Sequence, residues 1–327
     1  MKSKKIFFLK IFLIINFFLI NNIFATKTPR IIGGNYAHIN GKSKYPWIGR
    51  LWKKNSVNNH YCGVSLIKNI WGTDEWGITA FHCINHKDEE ELEIFFDIYD
   101  LSNKSEAIKV DIEKIIPYGQ GSTSYDIALL KLKVLDDDKD KIKNLEKINL
   151  ITENQIEIIE GIHENILTVV GWGATIHDGE NYIYKYENYL KELKTPICSP
   201  IKTYTYPYDD NIYYFCDRYT GGTGSSNKWI AAGEVGKNAC KGDSGGPLFK
   251  NGEKNEKILV GIVSHMLVGP GEIEQCADHE FAEIYTRVSY YLDWIEEKIL
   301  ENTSQNFFET HIFSPGWHLF SLPGKFF

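Results

Sequence analysis

The residues from Gly242 to Pro247 read Gly-Asp-Ser-Gly-Gly-Pro. A serine framed by glycines in this way fits a nucleophile carried on a sharply turned loop. A serine hydroxyl is a poor nucleophile at neutral pH and needs a base within hydrogen-bond reach. Two upstream segments supply the missing groups. Thr79-Ala80-Phe81-His82-Cys83 offers His82 as the base, and Tyr125-Asp126-Ile127-Ala128-Leu129-Leu130 offers Asp126 as the carboxylate that orients it. Along the chain the order is His82, Asp126, Ser244.

That order decides between two readings of Gly-x-Ser-x-Gly. The same pattern marks the nucleophile elbow of α/β-hydrolases, the esterases and lipases, where the acid and then the histidine follow the serine. His265 and His279 do lie downstream of Ser244, but the strand–helix alternation of that fold is missing. With these flanks, the His, Asp, Ser order resembles the chymotrypsin/trypsin family of serine proteases. The resemblance runs from Ile31 to about Glu297.

The resemblance implies a set of roles. Ser244 is the nucleophile, His82 the general base, and Asp126 the group that holds the imidazole tautomer and stabilises the imidazolium. The backbone N–H groups of Gly242 and Ser244 form the oxyanion hole. Gly171-Trp172-Gly173 also matches the family frame, as does Ser264, on a strand that pairs with substrate backbone. Arg30-Ile31-Ile32-Gly33-Gly34 resembles a zymogen activation junction. Cutting after Arg30 would free an ammonium at Ile31, which would pair with buried Asp243 and organise the oxyanion loop. Phe81 departs from the usual small residue before the histidine but removes no reacting atom.

The resemblance also locates the substrate pocket, and here the chain departs from ordinary trypsins. Asn238 stands where trypsins carry Asp at the pocket floor. Glu283 and Met266 replace two wall glycines, so a carboxylate reaches the floor from the opposite wall and the entrance is narrowed. Either Glu283 pairs with a Lys or Arg side chain of the substrate, or it is paired internally, with Lys237 as a candidate, and fills the pocket. Six cysteines in a secreted chain suggest three disulfides. The resemblance pairs Cys62 with Cys83 and Cys240 with Cys276, and leaves Cys198 with Cys216. No CxxC spacing points to a metal, and no cofactor is expected.

The elements that must position these residues are strands. Short apolar runs with alternation recur at Cys62–Ile67, Glu93–Ile98, Ile108–Ile115, Ile127–Leu132, Leu167–Trp172 and Ile258–Val263, separated by Gly, Asn and Asp. This is an all-β pattern. One helix is predicted from Tyr290 to about Glu301, where Tyr291, Trp294, Ile295 and Ile299 recur at three- to four-residue steps. The family resemblance implies two six-stranded antiparallel β-barrels with that helix last.

Residues 1–25 read as a secretory signal, with Lys2, Lys4 and Lys5 ahead of an apolar run that is short for a membrane span. The rival is an uncleaved anchor. Residues 26–30 are then a short propeptide, 31–301 the protease domain and 302–327 a tail of no assigned role. The net charge is −7; the first thirty residues hold six basic and no acidic side chains, so their removal leaves −13. That balance argues against a nucleic-acid partner. Asn103-Lys104-Ser105 and Asn302-Thr303-Ser304 are glycosylation sequons. The expected protein is a secreted, extracellular endopeptidase with protein or peptide substrates, an activating trypsin-like protease, protein inhibitors and no stable membrane association. The alternative is a catalytically silent relative that binds or regulates; such relatives usually lose a triad residue, and none is lost here.

Overall fold

The computed structural model describes residues 34–55, 62–72, 75–119, 125–134, 136–160, 165–178, 183–197, 203–205, 212–214, 228–233, 237–266, 276 and 283–303. The signal and propeptide, the Arg30–Ile31 junction, Cys198, Cys216 and the tail beyond 303 lie outside the described residues.

After three two-residue strands between Asn35 and Ser43 come six longer ones: β1 Ile48–Lys53, β2 Cys62–Ile67, β3 Trp76–Thr79, β4 Leu92–Phe96, β5 Ile108–Pro117 and β6 Ala128–Lys133. They close into an antiparallel barrel in the order β1-β2-β3-β6-β5-β4. Alternate apolar residues fill it, including Leu51, Val64, Leu66, Ile78, Ile94 and Leu130. The predicted strand Glu93–Ile98 stops earlier, at Phe96, because Asp97 turns the backbone into the left-handed region at φ 53°.

Six more strands follow: β7 Ile166–Gly171, β8 Lys191–Pro196, β9 Trp229–Ala232, β10 Pro247–Asn251, β11 Lys257–Met266 and β12 Glu283–Arg287. They pair in the order β8-β7-β10-β11-β12-β9, with Asn35–Tyr36 added beside β8. Asn149–Leu150 lies parallel to β11, so the sheet is not purely antiparallel as expected. At the far ends, Ile197 bridges to Ala232, and the Gly233 N–H donates to the Pro196 carbonyl at 3.1 Å.

Between the two halves, α1 (Lys139–Asn144) and α2 (Glu153–Ile159) interrupt the all-β reading. A reciprocal Thr152–Gln155 capping box starts α2. The C-terminal helix α3 runs Leu292–Asn302 and buries Ile295 and Ile299, after a 3₁₀ turn at Val288–Tyr291. Its Trp294 stands edge-on to Tyr118 at the end of β5, with ring centroids 5.3 Å apart. This carries α3 back over the first barrel.

The two halves share one core. Trp47, wholly buried, sets its ring against Phe249 of β10 at 5.2 Å, and Tyr45 packs on the same ring at 5.1 Å. The site lies along this junction.

Candidate active site

His82 follows β3. Ala80 keeps the chain extended (φ −75°, ψ 142°), and Phe81–Cys83 then makes a single 3₁₀ turn. Phe81 is buried, so the unexpected large residue serves as a core anchor behind the turn. Cys83 is bonded to Cys62 of β2, closing a loop with a sequence separation of 21 residues. A loop of that size restrains the unfolded chain by about 3 kcal/mol. His82 therefore stands on a turn stapled to the barrel wall.

Asp126 sits just before β6, 2% exposed. Its Oδ1 accepts the backbone N–H of His82 at 2.8 Å, and its Oδ2 meets His82 Nδ1 at 2.8 Å. Ser264 Oγ donates to the same Oδ2 at 2.5 Å. Burial raises the carboxyl pKa, but the His82 hydrogen bond and charge, the Ser264 hydroxyl and the His82 N–H outweigh it, and the net shift is downward. A carboxylate at this point requires the proton on His82 Nδ1, which leaves the Nε2 lone pair available as a base. Thr286 of β12 donates to the Asp126 carbonyl at 2.8 Å, so both halves of the molecule hold this residue.

Ser264 has a further partner. Its Oγ lies 2.9 Å from Nδ1 of His265, whose ring stands edge-on to Trp229 at 5.2 Å. Since the Ser264 proton goes to Asp126, His265 must donate from Nδ1. A chain of hydrogen bonds thus runs from exposed His265 through Ser264 and Asp126 to His82. The sequence reading did not single out His265; its place directly after Ser264 was the available signal.

Ser244 lies on a turn whose backbone is fixed from several sides. Its carbonyl accepts from Gly63 of β2 at 2.7 Å, Gly245 donates to Val263 of β11 at 2.8 Å, and Gly246 donates to Asp243 at 2.9 Å. Ala174 donates to the Lys241 carbonyl at 2.9 Å. None of these bonds uses the N–H of Gly242 or Ser244. Gly242 and Gly245 adopt φ +96° and +75°. A Cβ on Gly245 would meet Thr79 Oγ1 at 2.2 Å and the Gly63 carbonyl at 2.5 Å, so both the left-handed turn and the close approach demand glycine. The same Cβ position is 3.2 Å from Cys83 Sγ, which itself lies 3.8 Å from His82 Nε2. The serine turn and the histidine turn thus abut one disulfide.

Asp243, 1% exposed, points inward. Gly173 and Cys240 donate backbone N–H groups to its two oxygens at 2.7 and 2.9 Å. Burial pushes its carboxyl up to about 6, against those bonds and the charges of Arg50 and Lys191. Arg50, 0% exposed on β1, donates from Nη1 to the Gly242 carbonyl at 2.6 Å, and burial lowers its guanidinium to about 10. Arg50 was also overlooked in the sequence, where a lone cation inside Trp47-Ile48-Gly49-Arg50-Leu51-Trp52 was the signal.

Cys240, just before this turn, is bonded to Cys276. Asn238 and Glu283 are each 3% exposed, and Glu283 lies opposite both Met266 of β11 and Ala232 of β9. The structure thus brings Glu283 and Met266 together in one sheet register. Cys62, His82 and Cys83 place ligand-type atoms within 4.8 Å of one another, but both sulfurs are spent in the disulfide and offer no thiolate. Among the described residues no helix is long and apolar enough to cross a membrane.

The trypsin family model matches residues 31–295. The trypsin of Phaedon cochleariae is 32% identical over 84% of this chain and 93% of its own length. The clotting factor G beta subunit of Tachypleus tridentatus is 30% identical over 88% of this chain and 85% of its own. The human transmembrane protease serine 11B is 29% identical over 82% of this chain and 56% of its own. The chain belongs to the trypsin family of serine proteases.

Proposed function

We propose that this protein is a secreted serine endopeptidase, made as a zymogen and activated by a trypsin-like protease that cuts after Arg30. The observation that carries this reading is the Ser264–Asp126–His82 arrangement beside a turn whose Gly242 and Ser244 N–H groups take no partner among the described residues. In the proposed mechanism Ser244 Oγ attacks the scissile carbonyl and passes its proton to His82 Nε2. The carbonyl oxygen becomes an oxyanion held by the N–H groups of Gly242 and Ser244. His82 returns the proton to the leaving amine, giving an acyl-enzyme, and the same groups then activate water to hydrolyse it. Asp126 keeps the imidazole in the required tautomer and stabilises its charged form.

The fold reading goes with this. The Ile197–Ala232 bridge links the two ends of the run β8-β7-β10-β11-β12-β9, which supports reading these six strands as a second barrel. The cleft between the barrels then holds the substrate, with β11 pairing to its backbone. Residues 1–25 act as the signal, 31–301 as the protease domain, and exposed Asn103 as a glycan acceptor. Asn302 is a poorer acceptor, because its Nδ2 donates to the Lys298 carbonyl at 2.8 Å and its Oδ1 accepts from Lys114 at 2.6 Å. Buried Glu283, on the wall opposite the Asn238 position, is read as the group that selects Lys or Arg before the cut bond.

The test is Ser244→Ala. The purified variant, cut after Arg30, should be secreted and folded like the parent yet hydrolyse peptides orders of magnitude more slowly. Turnover equal to that of the parent would overturn the assignment.

A further inference from the structure

Oxyanion stabilisation depends on where two N–H groups point, and one of them belongs to Gly242. A glycine at φ +96° has no side chain to restrain it and loses more conformational freedom on ordering than any other residue. Something outside the turn must fix it.

The first barrel supplies the restraint through two neighbouring residues. Arg50 of β1 and Gly63 of β2 are register partners. Gly63 donates its N–H to the Ser244 carbonyl at 2.7 Å, and Arg50 donates from its guanidinium to the Gly242 carbonyl at 2.6 Å. The two carbonyls they hold belong to the same two residues whose N–H groups take no partner among the described residues. Between them, Asp243 is clasped by Gly173 and Cys240 and feels the charge of Arg50. Arg50 is fixed in turn, since β1 is paired on both sides, to Gly63 and to Phe95.

We propose that Arg50 is a positioning residue of the oxyanion loop: its buried guanidinium holds the Gly242 carbonyl and, with Gly63, clamps the turn that aims the Gly242 and Ser244 N–H groups. This deepens the protease reading and rests on it. A guanidinium suits the task because it stays charged, makes a charge-assisted bond to a carbonyl and lies beside a carboxylate that offsets its burial. The loop is therefore anchored from the barrel that carries His82, by a cation belonging to the folded chain and not created by cleavage.

The proposal separates transition-state stabilisation from substrate binding. In the activated enzyme, Arg50→Gln should lower kcat by roughly ten- to a hundredfold, while KM stays within about threefold. The affinity for a peptide aldehyde, which forms a tetrahedral oxyanion, should fall by a similar factor. Affinity for a competitive peptide that forms none should hold. Arg50→Lys keeps the charge but loses the planar fork, and should fall between parent and Arg50→Gln; it is also the deciding variant if Arg50→Gln does not fold. A folded Arg50→Gln or Arg50→Lys enzyme with the parent's kcat and aldehyde affinity would overturn the proposal, as would equal loss of affinity for both inhibitors. The parent run alongside keeps the two questions apart. A parent that hydrolyses nothing defeats the protease reading and this proposal with it, whereas an active parent matched by its Arg50 variants defeats this proposal alone.

Discussion

Asp243 makes the proposed cleavage after Arg30 measurable as a change in pH-dependent stability. In the chain described here its carboxyl is raised from the ordinary 3.8 to about 6, chiefly by burial. A carboxyl with a raised folded-state pKa favours the protonated form. Its contribution to stability is complete below about pH 3.8 and is lost as pH rises through about 6. The gap, at about 1.4 kcal/mol per pH unit, amounts to roughly 3 kcal/mol at pH 7.5. An Ile31 ammonium beside Asp243 should return the carboxyl toward its ordinary range and remove that loss. For a domain of this size, 3 kcal/mol corresponds to about 5 °C in Tm. The assay is thermal unfolding of two forms in a Ser244→Ala background, which prevents self-digestion: one cut by an activator, the other kept intact by Arg30→Gln. Their melting temperatures should nearly coincide at pH 4 and diverge to about 5 °C by pH 7.5, the cut form being higher. Asp243→Asn should abolish the divergence. Parallel melting curves across this range, or a divergence that survives Asp243→Asn, would refute the reasoning.

Two further outcomes follow. Arg30→Gln should block activation of the otherwise normal chain by a trypsin-like activator; full peptidase activity of a chain shown intact by N-terminal sequencing would contradict the zymogen reading. A positional-scanning peptide library on the activated enzyme should show Lys or Arg before the cut bond, with Glu283→Gly losing that preference. A preference for small residues in the parent, or a basic preference retained by Glu283→Gly, would instead fit a carboxylate that only fills the pocket.

Much of this fold was legible because short apolar runs bounded by turn residues mark strands, and β2, buried along its whole length, begins and ends where its apolar run does. The triad candidates were legible because each lies inside a local motif. What the sequence hid is non-local or polar. The segment 139–144, Lys-Asp-Lys-Ile-Lys-Asn, has one apolar residue and no readable period, so α1 was missed. The helix α2 did carry a sign, Thr152 followed by Gln155. Arg50 was read past because an arginine in a strand ordinarily faces solvent; it lies on the outer face of the first barrel, and only the serine turn of the second half, packed on that face, buries it against the Gly242 carbonyl. The hydrogen bonds from His265 to Asp126 likewise depend on strands far apart in sequence meeting at one carboxylate.

The central claim is that His82 and Asp126 activate Ser244. The direct measurement is covalent labelling by a fluorophosphonate, with the modified residue located by mass spectrometry. The activated parent should be labelled at Ser244 alone, and His82→Ala should lose the label while remaining folded. An activated, folded parent that takes no label, or takes it at another residue, would contradict the account.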